Sequence, residues 1–152
     1  VSSSAIRSLL EKGEIAAANR LLGHRWFVLG EVVKGDQRGR DLGYPTANMV
    51  LPPETPLAQG VYAVRLNVDG QVRPGVASFG RRPQFHQDGP PLLESHVFDF
   101  SGDLYGKTLA VEFLARLRGE EVFADVGALI AQMDRDSVEA REIASRPADP
   151  EV

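Results

Sequence analysis

The sequence contains no cysteine. Disulfides and thiolate metal sites are therefore excluded, and a reducing compartment such as the cytoplasm is the expected setting. No apolar run approaches the ~20 residues that a membrane-spanning helix needs. No secretory signal pattern opens the chain, so no membrane partner is expected. Positive charge is not in excess: the net charge is −4. That argues against a general nucleic-acid binder, whose footprint is a basic stripe. The three histidines are scattered, at 24, 86 and 96, and offer little to a transition metal without cysteine beside them. Also missing are the Walker A loop, the GxSxG elbow, HExxH and HxE…PCxxC. Gly35, Gly39 and Gly43 do not make the dinucleotide fingerprint either.

What is present is ordinary for a folded domain. The 152 residues are 43% hydrophobic and 25% charged, enough for one domain with a sizeable core. The chain opens on valine rather than an initiator methionine, which implies a fragment or a processed chain.

Residues 1–23 read as a helical pair. Ser3 or Ser4 caps the first helix, Ile6, Leu9 and Leu10 share a face, and Gly13 ends it. An alanine-rich second helix, 14–22, stops at Gly23. The pair has little core of its own and needs something to pack on. From Trp26 the pattern turns to strands: 26–33 with Gly30 as a bulge or close-approach point, then an extended segment 44–51. The run 60–68 alternates cleanly, Asp69-Gly70 is a hairpin turn, and 71–78 is the return strand. Pro74 predicts an edge or irregular strand there. Residues 81–93 read as a long loop, 94–100 and 107–117 as further strands, and 126–145 as a helix. On that helix Ala128, Leu129, Ile130, Met133 and Val138 form the expected apolar side. In the last strand Leu109, Val111, Phe113, Ala115 and Leu117 are expected to face one way. The expected architecture is mainly β: a six-stranded antiparallel barrel, a short N-terminal helical segment, and a C-terminal helix covering one end.

One stretch makes unusual demands. In Gly39-Arg40-Asp41-Leu42-Gly43-Tyr44-Pro45-Thr46-Ala47-Asn48, glycines permit close backbone approach and Pro45 fixes an extended entry. Thr46 and Asn48, two residues apart, point to one side of an extended backbone. A hydroxyl beside an amide carbonyl suits a hydrated magnesium ion carrying nucleotide phosphates. It equally suits a polar loop whose side chains satisfy their own backbone.

The ordered series Gly30-x-Val32-x-x-Gly35, Gly39-Arg40-x-Leu42-Gly43-x-Pro45-Thr46-Ala47-Asn48, Gly60-Val61-Tyr62 and Glu94-Ser95-His96 resembles the riboflavin kinase family. Asp103-Leu104-Tyr105-Gly106, Arg118-x-Glu120-x-x-Phe123 and Gln132-x-x-x-Asp136 extend the likeness over residues 24–142. Residues 1–23 resemble the end of the adenylyltransferase module that precedes this kinase in bacterial bifunctional FAD synthetases. That module's HxGH-type core is absent from the sequence, so FMN adenylylation is not expected of this chain.

The resemblance implies Greek-key connections in the barrel and ATP-dependent transfer of a phosphoryl group to the ribityl 5′-hydroxyl of riboflavin, giving FMN and ADP. It places Thr46 and Asn48 on Mg²⁺ and the ATP phosphates. Gly30, Lys34, Gly35, Arg40 and Pro45 then shape the phosphate-side loop, although Lys34 and Arg40 read equally well as solvated loop charges. Glu94 becomes the candidate general base, and His96, on the same strand face, a structural or positioning residue. Arg118, Glu120 and Phe123 would close over the flavin, with Phe123 alternatively a staple leading into the helix. Tyr105 would fill the barrel end, and Gln132 with Asp136 would support the closing segment. The implied partners are ATP/ADP, riboflavin/FMN and the adenylyltransferase module of a longer chain. A non-catalytic flavin- or nucleotide-binding barrel is the competing reading. The sequence departs from the family at Ser78 and Gln84, where Asn and Thr are usual, which puts the ligand-covering role of that loop in doubt.

Overall fold

The computed structural model describes residues 3–33, 46–81, 90–100, 102–119 and 123–146. Two helices open it, α1 (Ser3–Glu11) and α2 (Ile15–Leu22). Gly13 and Gly23 end them at φ 78° and 79°, a left-handed conformation that glycine takes without a side-chain clash. Six strands follow: β1 (Phe27–Glu31), β2 (Thr46–Val50), β3 (Gly60–Val68), β4 (Gln71–Arg81), β5 (Pro91–Val97) and β6 (Thr108–Arg118). The chain closes with helix α3 (Val126–Ser145), capped by the Asp125 carboxylate, which accepts from Ala128 N–H. No helix of the described chain is long and apolar enough to cross a membrane.

All strands are antiparallel neighbours in the order β1-β6-β3-β4-β5-β2. The β6-β3-β4-β5 part is a Greek key, three hairpin-linked strands with the fourth returning beside the first. The sheet curls until its two edges meet, where Val33 N–H donates to the Asn48 carbonyl at 2.8 Å. The barrel is thereby nearly closed. Gly30 lies beside that seam in unbroken register with Leu109, so it forms no bulge. Its missing side chain is explained by close approach: a Cβ would meet Met49 Sδ at 3.0 Å.

The Asp69-Gly70 hairpin is as the sequence predicts. Both residues have positive φ, 52° and 85°, as a two-residue primed turn requires. Pro74 is not on an edge: β4 runs between β3 and β5. Its absent N–H would point toward β5, and that ladder ends one residue away, at Gly75 opposite Val97. The Pro74 carbonyl, on the same side, still accepts from Phe98. Strand β4 also runs on to Arg81 and β5 begins at Pro91, both inside the stretch expected to be loop.

Two cores result. Inside the barrel, Tyr62, Val64, Leu66, Met49, Leu93, Val111 and Phe113 are essentially inaccessible. Leu10, Ile15 and Ala18 of the helical pair are part of that same cluster. Asn19 ties the pair down from a buried position, donating to the Phe113 carbonyl at 3.0 Å and accepting from Trp26 N–H at 2.8 Å. The second core lies outside the barrel, where Val61, Ala63, Val76 and Phe98 meet Ala140 of α3. So α3 lies along the outer face of β3, β4 and β6, and the N-terminal pair seals the barrel interior.

Register shifts between β3 and β6, where Val64 pairs Phe113 but Ala63 pairs Ala115, mark extra residues in β6. Such bulges re-aim side chains, and Leu117 joins the outer cluster instead of the inner one. On α3 the buried residues are Asp136 and Ala140, while Val138 is exposed. Tyr105 is also exposed, and its neighbour Leu104 takes the buried place.

Candidate functional site

The site begins with strand alternation. In β2, Ala47 and Met49 are fully buried in the barrel; in β5, Leu93, Ser95 and Val97 are buried likewise. Period-two geometry then turns Thr46, Asn48, Glu94 and His96 to the outer face. The β2–β5 register sets Thr46 opposite His96 and Asn48 opposite Glu94. Cross-strand partners of this kind have Cβ atoms about 5 Å apart. Residues separated by nearly fifty positions thus form a compact square of oxygen and nitrogen atoms.

Their environment is distinctive. Asn48 is only 4% exposed, and among the described residues its Oδ1 has no hydrogen-bond partner. A buried unsatisfied carbonyl costs about 1–3 kcal/mol, which a cation or donor placed there would offset. Ser95 Oγ is also buried without a described partner, but it faces the barrel interior with Ala47 and Ala77. His96 Nδ1 lies 3.4 Å from Thr46 Oγ1, and its Nε2 lies 3.8 Å from Glu94 Oε1. Burial pushes the His96 imidazole down to about 4. The contact with Glu94 is therefore that of a neutral ring with a carboxylate, not an ion pair. Glu94 keeps 22% of its side chain in solvent, enough to meet a ligand.

The same outer face carries the second candidate group. Asp136, buried on α3, accepts from Arg118 Nε and Nη2 at 2.9–3.1 Å and from Gln132 Nε2 at 3.0 Å. The Arg118 guanidinium lies 5.6 Å from the Phe123 ring centroid, a cation–π distance. Phe123 sits two residues before the Asp125 cap, one too early for a staple, and it packs on Arg118 instead.

Register joins the two groups. Arg118 pairs Val61, Val61 pairs Ser78, Ser78 pairs Glu94 and Glu94 pairs Asn48. One row across five strands therefore runs from the Arg118–Phe123 cluster to the Asn48–Glu94 pair. Three strand spacings separate Arg118 from Glu94, about 14 Å along the sheet. Val61 and Ser78 form the floor between them, and Ser78 was not a candidate from sequence. Its signal lay in the hairpin: a two-residue turn at Asp69-Gly70 fixes Ser78 opposite Val61.

Not every candidate is drawn together. Gly30 faces the interior at the seam, against Met49. Lys34, Gly35, Arg40, Pro45 and Glu120, with Gln84, lie outside the described residues. A cavity of about 300 Å³ lies elsewhere, between the β3–β4 hairpin and the end of α3. Its two arginines are already engaged: Arg65 donates to the Ala144 carbonyl and Arg141 to the Asp99 carboxylate.

A family model described as riboflavin kinase (flavokinase) matches residues 22–144. The chain belongs to the riboflavin kinase family.

Curated relatives agree. A Bacillus subtilis bifunctional riboflavin kinase/FMN adenylyltransferase is 39% identical over 148 residues, covering 92% of this chain and 45% of the relative. A Pseudomonas fluorescens protein of the same name is 41% identical, covering 97% and 48%. The chain thus spans about half the length of the curated relatives it matches. Among solved structures, a Trypanosoma brucei riboflavin kinase superposes with a TM-score of 0.60 at 24% identity over 80% of each chain, a likeness of fold. A Streptococcus pneumoniae structure named as a macrolide-efflux protein superposes at 0.85 with 38% identity, over 93% of this chain and 46% of that one. Its name disagrees with the family match and with the curated relatives, which agree with each other at similar identity. The family assignment therefore follows the latter.

Proposed function

We propose that this chain transfers the γ-phosphoryl group of ATP to the 5′-hydroxyl of riboflavin's ribityl chain, giving FMN and ADP. The observation that carries the reading is the five-strand row. It sets a carboxylate and an unsatisfied amide oxygen at one end and a guanidinium stacked on an aromatic ring at the other. An elongated substrate with an aromatic head and a hydroxylated tail matches that layout.

Phosphoryl transfer needs positioning and charge neutralisation more than covalent help. Glu94 orients the 5′-hydroxyl and takes its proton as the new O–P bond forms and the bond to the β-phosphate oxygen breaks. Thr46 and Asn48 supply hard oxygen atoms, a donor set that fits Mg²⁺, which keeps several waters and phosphate oxygens among its ligands. When bound, that ion neutralises charge on the phosphate oxygens. Lys34, Gly35, Arg40 and Pro45 belong to the phosphate-side segment in this reading, and Gly30 acts behind it as a seam residue. Arg118, Glu120 and Phe123 contact the flavin end, with Arg118 held in place by Asp136. The adenylyltransferase module of the longer relatives would be this chain's partner, and FMN adenylylation is assigned to that module alone.

The competing reading, a barrel that binds flavin or nucleotide without turning it over, gives no role to a partly exposed carboxylate beside an unsatisfied amide oxygen. Incubation with riboflavin, ATP and magnesium, followed by chromatographic separation of FMN, decides between them. Magnesium-dependent FMN formation is expected. Tight flavin binding with no FMN would establish the binding barrel.

A further inference from the structure

Strand β1 stands at one end of the strand order and is paired along one side only. Its even-numbered residues bond toward β6: the Trp26 carbonyl accepts from Phe113 N–H, and Val32 N–H donates to the Lys107 carbonyl. The odd-numbered residues therefore turn their backbone groups the other way, toward β2. There the seam is bridged at Val33 and Asn48, and among the described residues no strand pairs residues 27–31 on that side. The side chains of Phe27 and Leu29 stand on the outer face, 46% and 65% exposed, and Val50 across the seam is exposed as well. Edges of this kind are normally blunted by lysine, proline or a bulge. Phe27-Val28-Leu29-Gly30-Glu31 has none of these, and its register with β6 is unbroken.

Charges flank the apolar pair. Alternation carried back from Phe27 puts Arg25 on the outer face, with Glu31 at the other end. Burial and the charge of Arg25 hold the Arg65 guanidinium below its usual range, and Arg65 lies in the same outer row as Phe27, through Glu112. A second β1 can pair antiparallel with this edge about a two-fold axis. Three registers bring the apolar side chains together. Phe27 opposite Phe27 sets Leu29 against Arg25, and Leu29 opposite Leu29 sets Phe27 against Glu31. Phe27 opposite Leu29 matches apolar with apolar and also sets Arg25 against Glu31, twice over. The stripe is complementary to itself in that register.

We propose that β1 is a homodimerisation edge, at which two copies of this chain pair antiparallel through residues 25–31. Phe27 lies opposite the partner's Leu29, and Arg25 opposite the partner's Glu31. The pairing continues the sheet of one barrel into the other and covers the exposed stripe. None of these four side chains belongs to the proposed phosphoryl-transfer site, so the dimer stands or falls apart from the kinase reading.

Sedimentation equilibrium of the chain from about 1 to about 200 µM should show a monomer–dimer equilibrium. Leu29→Lys should abolish the dimer. Arg25→Glu and Glu31→Arg each set like charges opposite one another at two places, and each should weaken dimerisation at least about tenfold. The double variant restores both pairs in reverse and should return to within about threefold of wild type. It also serves as the folding control, since it carries both substitutions. A wild-type chain that stays monomeric throughout overturns the proposal and leaves the stripe to the other half of the longer relatives. So does a dimer that Leu29→Lys leaves intact, or a double variant as weak as the single ones.

Discussion

Asn48 holds a buried carbonyl oxygen that no described group satisfies, and such an atom destabilises the fold unless a ligand answers it. Asn48→Ala should therefore leave Tm unchanged or slightly raised while weakening magnesium-dependent ADP binding at least about tenfold. Thermal unfolding and titration calorimetry on the same preparation check both halves. A large drop in Tm with unaltered nucleotide binding would show the residue to be structural. His96 gives a second residue-scale expectation. Its folded pKa lies near 4 against an ordinary 6.5, so on acidification the unfolded chain takes up a proton that the folded one resists. The stabilisation is full above pH 6.5 and is lost as pH falls toward 4, on the order of 3 kcal/mol across the window. Urea unfolding of metal-free protein between pH 7 and 4.5 should be steeper for wild type than for His96→Asn; equal slopes would contradict the assignment.

At the scale of elements, the site depends on how closely β4 and β5 run. A Cβ on Gly75 would lie 2.5 Å from the His96 carbonyl oxygen and 2.7 Å from Leu66 Cδ1. The oxygen is backbone, so β5 itself must move. Gly75→Ala should destabilise by about 1–3 kcal/mol and lower turnover, because the displaced residue lies at the centre of the Thr46–His96–Glu94 contact. Unfolding by denaturant together with FMN formation measures both effects. The Arg118–Asp136 contact is the other joint, between β6 and α3. Asp136→Ala leaves a guanidinium only 16% exposed without its carboxylate, and removing one partner of a buried pair costs about 3–5 kcal/mol. A Tm within a degree or two of wild type would show that water replaces the carboxylate without penalty.

These joints also show what the sequence discloses. The Asp69-Gly70 turn, the alternation in β3 and the span of α3 follow from local chemistry and stand in the structure as read. Pro74 misled because edge status was inferred from the missing N–H alone, whereas what matters is where the neighbouring ladder ends. Leu117 misled because an extra residue in β6 resets the alternation, and nothing in the sequence marks a bulge. The pairing of Gln132 with Asp136 was legible from their spacing, but the burial of Asp136 was not, because its partner Arg118 is eighteen positions away.

Across the whole molecule, the helical pair and the barrel share one interior. Leu10, Ile15 and Ala18 are buried with the strands, and Asn19 bridges the Phe113 and Trp26 backbones. Removing residues 1–22 should uncover that apolar face and lower Tm strongly or render the protein insoluble, and circular dichroism melting of the truncated chain tests this. Thr46, Asn48 and Glu94 were legible as candidates only through their motifs. Their convergence followed from the resemblance alone, since it depends on the β2–β5 register, and no local signal sets two strands so far apart in sequence opposite each other.

The central claim is that Glu94, one cross-strand step from Asn48, acts on the acceptor hydroxyl. The most direct test is the steady-state rate of FMN formation by Glu94→Gln, with KM for MgATP measured in parallel. The account predicts a kcat lower by about 10²–10⁴-fold with KM for MgATP nearly unchanged. A kcat equal to that of the wild type would contradict it.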